Sequence, residues 1–224
     1  MTATRRRATG WALGLLAVGN AGIVVSLWWS SGGAQDVHDT ASLLTGLGRI
    51  AGLLGAYLAL VELLLLARIP ALERLAGFDR LTAWHRRNGA ACLALLLAHA
   101  VLITTGYTLG DGISLPEEIS RLVTGYPGVI TAMAGLALLI AVVASSAVIV
   151  RRRLRYERWY FLHLYAYLAI ALAFSHQLAT GSDFVGEPAA RAYWYALYGV
   201  TIAALVAFRL GAPLIRSARH RLRA

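Results

Sequence analysis

Six long apolar runs, separated by short polar connections, dominate the chain. They cover roughly Trp11–Trp29, Leu43–Leu66, Gly89–Tyr107, Val129–Val150, Trp159–Leu178 and Tyr193–Leu210. Each approaches the ~20 apolar residues that an α-helix needs to cross the hydrocarbon of a bilayer. The pattern predicts an all-α integral membrane protein, a six-helix transmembrane bundle. Arg5, Arg6 and Arg7 precede the first run, as they would in a secretory signal. That run is long for a signal, however, and no clear small-x-small cleavage site follows, so it counts as a span.

The connections alternate in charge. One set carries Arg5–Arg7, then Arg68, Arg74, Arg80, Arg86 and Arg87, then Arg151–Arg153, Arg155 and Arg158, and finally Arg216, Arg219, Arg221 and Arg223. The other set holds Asp36, Asp39, Asp111, Glu117, Glu118, Asp183 and Glu187 against Arg121 and Arg191. Basic connections stay in the cytoplasm, so both termini are expected there. Trp28, Trp29, Trp84, Trp159 and Trp194 fall near span ends, as an aromatic belt would. The expected division is a cytoplasmic segment over residues 1–10, one membrane domain over 11–211 and a basic cytoplasmic tail over 212–224. No sequence repeat is visible, and the tail is too short to fold alone.

Composition supports this picture. Of 224 residues, 58% are hydrophobic and only 14% charged, against about 25% charged in a soluble domain. The net charge of +10 comes from arginines clustered beside apolar runs. Such clusters report membrane topology, and nothing resembles a nucleic-acid module, so no nucleic-acid partner is expected. The single cysteine, Cys92, excludes disulfides within the chain and cysteine-ligated zinc or iron–sulfur sites.

The histidines carry the candidate chemistry. His38 lies in an outer loop and His220 in the basic tail, but His85, His99, His163 and His176 lie at or within the third and fifth spans. The first pair is fourteen residues apart, a rise of about 21 Å that returns to within about 40° of the same helix face. The second pair is thirteen apart, a rise of about 19.5 Å on a helix running the same way. Thirteen residues turn His176 well away from the face of His163, so either that helix is distorted or the two bound groups differ in orientation. Neutral imidazole is a ready iron ligand. Two histidines at matched depth would hold one haem, which predicts two b-type haems: His85 with His163 on the inner side, His99 with His176 on the outer. All four are expected metal ligands. With both axial positions filled, such haems pass electrons, in two steps across about 30 Å of hydrocarbon. A lone histidine in a span is usually a proton relay or interhelical hydrogen bonder. A haem-free transporter or channel using histidine relays is therefore the competing reading, with a haem-free structural protein as a third.

The paired histidines resemble those of the ferric reductase and NADPH oxidase transmembrane superfamily. So do the stretches Arg68-Ile-Pro-Ala-Leu-Glu-Arg and Phe78-Asp-Arg-Leu-Thr-Ala-Trp-His-Arg-Arg-Asn-Gly, which look like bacterial members. The resemblance covers nearly the whole chain. It implies an oxidoreductase of a bacterial plasma membrane, taking electrons from NADPH or NADH through FAD to the inner haem. From the outer haem they would pass to ferric iron or dioxygen. No flavin or nicotinamide domain of that pattern is expected within these 224 residues. FAD and NAD(P)H are expected only through a domain or cytoplasmic flavoreductase outside this chain. The alternative is a stand-alone haem subunit serving a periplasmic protein partner, as methionine sulfoxide reductase haem subunits of this superfamily do.

Further candidates stand beside plainer readings. The resemblance puts Arg49 near the outer haem, on a propionate or an oxygen-derived anion, with a snorkelling arginine as the alternative. Arg87 and Arg86 follow the inner ligand and suit propionates, though topology explains them equally well. Gly46, Gly48, Gly52 and Gly55 suit close helix packing more than contact with a haem. Cys92, seven residues from both His85 and His99, is expected on their face as a small residue beside a porphyrin. Glu62 is expected to pair with Arg68 or to touch the inner haem, with nothing in the sequence to choose. Arg151–Arg158 and the tail suit either a docked flavoprotein or topology.

Overall fold

The computed structural model describes residues 3–147, 151–181 and 186–212. Among them all regular structure is helical: α1 (Ala3–Ser30), α2 (Thr40–Leu65), α3 (Pro70–Ala76), α4 (Phe78–Asp111), α5 (Leu115–Gly125), α6 (Val129–Ser146), α7 (Tyr156–Thr180) and α8 (Pro188–Ala204). The last continues as a wider π-helical stretch, Leu205–Gly211. Six of these segments are long and apolar enough to cross a membrane: α1 from Gly10, α2, α4, α6, α7, and Pro188–Arg209. The predicted spans are all present.

Their ends differ from expectation where polarity and helicity part company. Helix α4 begins at Phe78, well before the predicted Gly89, because its first turns are polar yet helical. Gly77, at φ +81°, turns the chain into it. The helix has 34 residues, about 51 Å against about 30 Å of hydrocarbon, so its polar end lies outside the apolar count. This places His85 within regular helix. Helix α6 stops at Ser146, where Ala147 turns extended; the predicted continuation over residues 148–150 lies outside the described residues, as do residues 213–224 of the tail. Asp39 caps α2, accepting from the Ser42 amide at 2.7 Å while its own amide donates to the Ser42 hydroxyl at 2.9 Å.

Two helix pairs, α2 with α4 and α6 with α7, pack far more extensively than any other elements. Glycines permit the close approach. A Cβ on Gly55 would stand 2.7 Å from the Leu96 side chain, and one on Gly48 2.9 Å from Ile103. Gly106 lies against Thr45 and the Ala41 carbonyl, and Gly135 against the Ala169 carbonyl. Small residues at contacts are how apolar helices gain packing energy in lipid, where burial alone drives nothing. The packing role read for the glycine stripe therefore holds for Gly48 and Gly55, while a side chain at Gly46 would meet nothing closer than 3.4 Å.

Helices α1 and α8 brace this core. Val24, Tyr57, Leu60, Trp194 and Tyr198 form a buried cluster. Tyr57 donates to the Ala17 carbonyl at 3.0 Å, and Tyr193 bonds Asn20. Two of the expected belt tryptophans are thus misassigned: Trp194 is 1% exposed and Trp28 6%, whereas Trp29 is 65% exposed. An indole near a span end is drawn inward when a neighbouring helix offers aromatic packing.

Candidate functional site

Helices α4 and α7, which carry the four histidines, pack against their partners α2 and α6 and scarcely against each other. Across that seam the rings of His85 and His163 meet, with centres 5.9 Å apart and planes inclined by 62°. His176 lies within electrostatic range of His99. His85 and His163 are thus in ring-to-ring contact, and His176 lies near His99.

Each imidazole is oriented through Nδ1. His99 Nδ1 stands 2.9 Å from the Gly48 carbonyl of α2. A carbonyl only accepts, so Nδ1 carries the proton and Nε2 is the free lone pair. His163 Nδ1 lies 3.4 Å from Ser146 Oγ on α6. That hydroxyl donates to the Val142 carbonyl at 2.9 Å and accepts from Trp159 Nε1 at 3.1 Å. Having used its own proton, it too accepts from the ring. His176 Nδ1 lies 3.0 Å from Thr180 Oγ1, whose proton goes to the His176 carbonyl at 2.9 Å. His85 Nδ1 lies 2.5 Å from Glu62 Oε2 on α2, without the alignment of a hydrogen bond. Glu62 Oε1 in turn accepts from Asn88 Nδ2 at 2.6 Å. Three of the four rings, His99, His163 and His176, thus have an acceptor at Nδ1, which leaves Nε2 for a ligand bond, the arrangement by which proteins hold and orient metal-binding imidazoles; at His85 the Glu62 carboxylate stands beside Nδ1.

The α2–α4 partners follow one register. Moving along α4 in seven-residue steps, His85, Cys92 and His99 meet Glu62, Gly55 and Gly48, also seven residues apart on the antiparallel α2. Seven residues are close to two helical turns, so each step returns to the same seam. Cys92 is correspondingly 3% exposed and donates its thiol to the Gly55 carbonyl at 3.3 Å. It shares the histidine face as expected, but its sulfur is directed at α2. Gly52 completes the seat of His99: a Cβ there would come 2.6 Å from Nδ1.

The donor set fits haem. Among the described residues no three His, Cys, Asp or Glu side chains converge to hold a bare metal ion. The histidines come in twos, which suits iron whose equatorial positions a porphyrin fills. Imidazole nitrogens bind first-row metals at about 2 Å, so two rings on opposite sides of one metal have centres about 6 Å apart. The spacing of His85 and His163 matches that.

Residues 51–174 match a family model described as the ferric reductase like transmembrane component. The chain belongs to that family. The matched segment runs from within α2 into α7 and holds three of the four histidines, with His176 two residues beyond. Proteins of Brucella ovis, Brucella canis and Brucella suis are each 30% identical to the chain over 226 residues, covering 99% of it and 94% of their own length. All three are named protein-methionine-sulfoxide reductase heme-binding subunit MsrQ. No solved structure matches. Membership in this ferric reductase-like family, together with six membrane-length helices and bacterial relatives, makes the chain a multi-pass plasma-membrane protein.

The remaining candidates are placed as follows. Arg49 pairs with Asp36 at 3.6 Å, the two side chains 35% and 70% exposed; such an open pair is weak and leaves Arg49 available. Arg87 and Arg86 are exposed on α4. Arg68, at φ +64°, bonds Glu73 at 3.0 Å and covers the Phe78 ring at 4.8 Å. Glu62 does not pair with it. Among the functional positions that sequence reading missed are Asn88, Ser146 and Thr180, polar residues too common to single out without their partners. Arg209 was also missed. It lies within electrostatic range of His163, and its guanidinium donates to the Leu66 carbonyl at 3.0 Å. A π-helical stretch in a span is a feature often found at functional sites.

Proposed function

We propose that this chain is the haem-binding subunit of a bacterial membrane electron-transfer system, serving a protein-methionine-sulfoxide reductase outside the cytoplasm. One observation carries the reading: four histidines stand in two pairs at two depths, three of them with Nδ1 held by an acceptor and His85 with the Glu62 carboxylate beside it. His85 and His163 would hold the inner haem, His99 and His176 the outer. Bound at these positions, the two haems supply one-electron storage on either side of the bilayer midplane. The rest of the chain contributes position. Helix α2 orients both α4 ligands through the Gly48 carbonyl and the Glu62 carboxylate. Ser146 and Thr180 do the same for α7, and Trp159 lies against His163 with ring centres 5.1 Å apart. Arg49 and Arg87 are the proposed propionate partners, and the arginines of the 151–158 connection the proposed contact for a cytoplasmic flavoreductase.

The relatives' names favour this protein-partner reading over ferric iron or dioxygen as acceptor. Thirteen residues separate His163 from His176 on a helix that runs unbroken from Tyr156 to Thr180. On an ideal helix they stand about 140° apart, so the reading includes two haems that differ in orientation.

The test is direct. The purified chain should give two haems b by pyridine haemochrome, and one after His99→Ala. Dithionite-reduced vesicles should then be reoxidised faster by an oxidised methionine sulfoxide reductase added outside than by ferric citrate or air. A colourless protein from haem-replete cells would end the haem reading. Preferential reoxidation by ferric citrate would return the superfamily's commoner acceptor.

A further inference from the structure

The four Nδ1 partners are chemically unequal. Three are neutral: the Gly48 carbonyl, the Ser146 hydroxyl and the Thr180 hydroxyl. One is a carboxylate, Glu62, 2.5 Å from His85. A carboxylate inside a span is costly and persists where it has partners and a use. This one has been given a seat. Its side chain is 14% exposed. Oε1 accepts from Asn88 Nδ2 at 2.6 Å, and the same amide donates to the Leu58 carbonyl at 2.9 Å. Gly89 lets the α4 backbone close over it, since a Cβ there would come 3.2 Å from Oε2.

We propose that Glu62 is a positioning residue that lowers the reduction potential of the inner haem below that of the outer, giving electron flow its outward direction. The proposal rests on the reading of His85 and His163 as inner-haem ligands. The Glu62 carboxylate stands beside Nδ1 without an aligned hydrogen bond and acts through its charge, since a negative group next to a ligating imidazole makes it a stronger donor. Ferric iron carries one more positive charge than ferrous, so the stronger donor and the adjacent negative charge both favour the oxidised form. Among the described residues, His99 and His176 have no such partner. Among the described residues the opposing charge is Arg209, which reaches His163 through its field while its guanidinium bonds the Leu66 carbonyl. Arg86 and Arg87 are exposed to solvent, where screening is strongest. Glu62 touches the ligand itself.

The experiment is a potentiometric titration of the haem-loaded, full-length chain, followed by visible and EPR spectra. Wild type should show two one-electron transitions. In Glu62→Gln the lower one should move positive, an about tenfold change in the oxidised-to-reduced ratio at fixed poise, or about 59 mV. The upper one should stay, and Glu62→Asp should restore the lower. Asn88→Ala, which frees the carboxylate from its amide partner, should move the same transition negative. Lower transitions unmoved in both Glu62→Gln and Asn88→Ala, or a shift confined to the upper one, would overturn the proposal. If Glu62→Gln loses its inner haem, the Asn88→Ala shift decides. A wild-type chain without haem would instead overturn the reading beneath it.

Discussion

A carbonyl oxygen accepts and never donates, and that determines the state of His99. Its Nδ1 must keep the proton when it meets Gly48, so Nε2 is left with the lone pair. Gly52 makes the contact possible by leaving room for the ring. Gly52→Ala would bring a methyl to 2.6 Å from Nδ1, a separation that forces the imidazole or the helix to move. The expected outcome is loss of the outer haem with the inner one retained, read as half the haem per chain by pyridine haemochrome. Gly46→Ala, whose nearest neighbour is 3.4 Å away at Val37, should keep both and serves as the control. At this scale the histidines themselves were legible in the sequence, because imidazole in an apolar run is rare and its spacing can be counted. Their partners were not. Gly48 acts through its backbone, which every residue has, and Thr180 becomes informative only once His176 is seen to reach it.

Along the elements, the antiparallel seam of α2 and α4 holds the site together. Its register passes through Glu62, Gly55 and Gly48 on one side and His85, Cys92 and His99 on the other, and it continues outward to Gly106 against Ala41. A methyl at Gly106 would meet the Ala41 carbonyl at 2.9 Å, and backbone cannot swing away as a side chain can. Gly106→Ala should therefore destabilise the pair by about 1–3 kcal/mol, the usual cost of overpacking. A lowered midpoint in thermal melts of the detergent-solubilised protein checks this, with the haem ratio unchanged because the contact lies beyond the ligands. The six spans were readable because lipid demands a minimum apolar length. The short helices α3 and α5 were not, since brief mixed sequences have no such constraint. The polar first turns of α4 escaped for the same reason, and with them the fact that His85 sits in regular helix.

For the whole molecule, the arginine distribution makes a prediction about sidedness. Cysteines introduced as Ser31→Cys and Gly181→Cys should react with an impermeant maleimide on intact spheroplasts, and Arg153→Cys only after permeabilisation. Cys92, 3% exposed, should stay silent in both. Labelling in the reverse pattern would invert the proposed electron path while leaving the fold untouched.

Taken alone, the order of residues was enough to establish six spans, the family resemblance and two pairs of histidines. Hydropathy and helical spacing are one-dimensional properties, and a helix in lipid satisfies its backbone within itself. What each imidazole touches was decided only by tertiary structure. Gly48 and His99, Glu62 and His85, Ser146 and His163 lie on different helices, and their meeting depends on how one helix slides and rotates against the next. That register comes from glycine-sized gaps packing against specific side chains. It is the reason Glu62, which the sequence left between Arg68 and the inner haem site, stands against His85 in the fold.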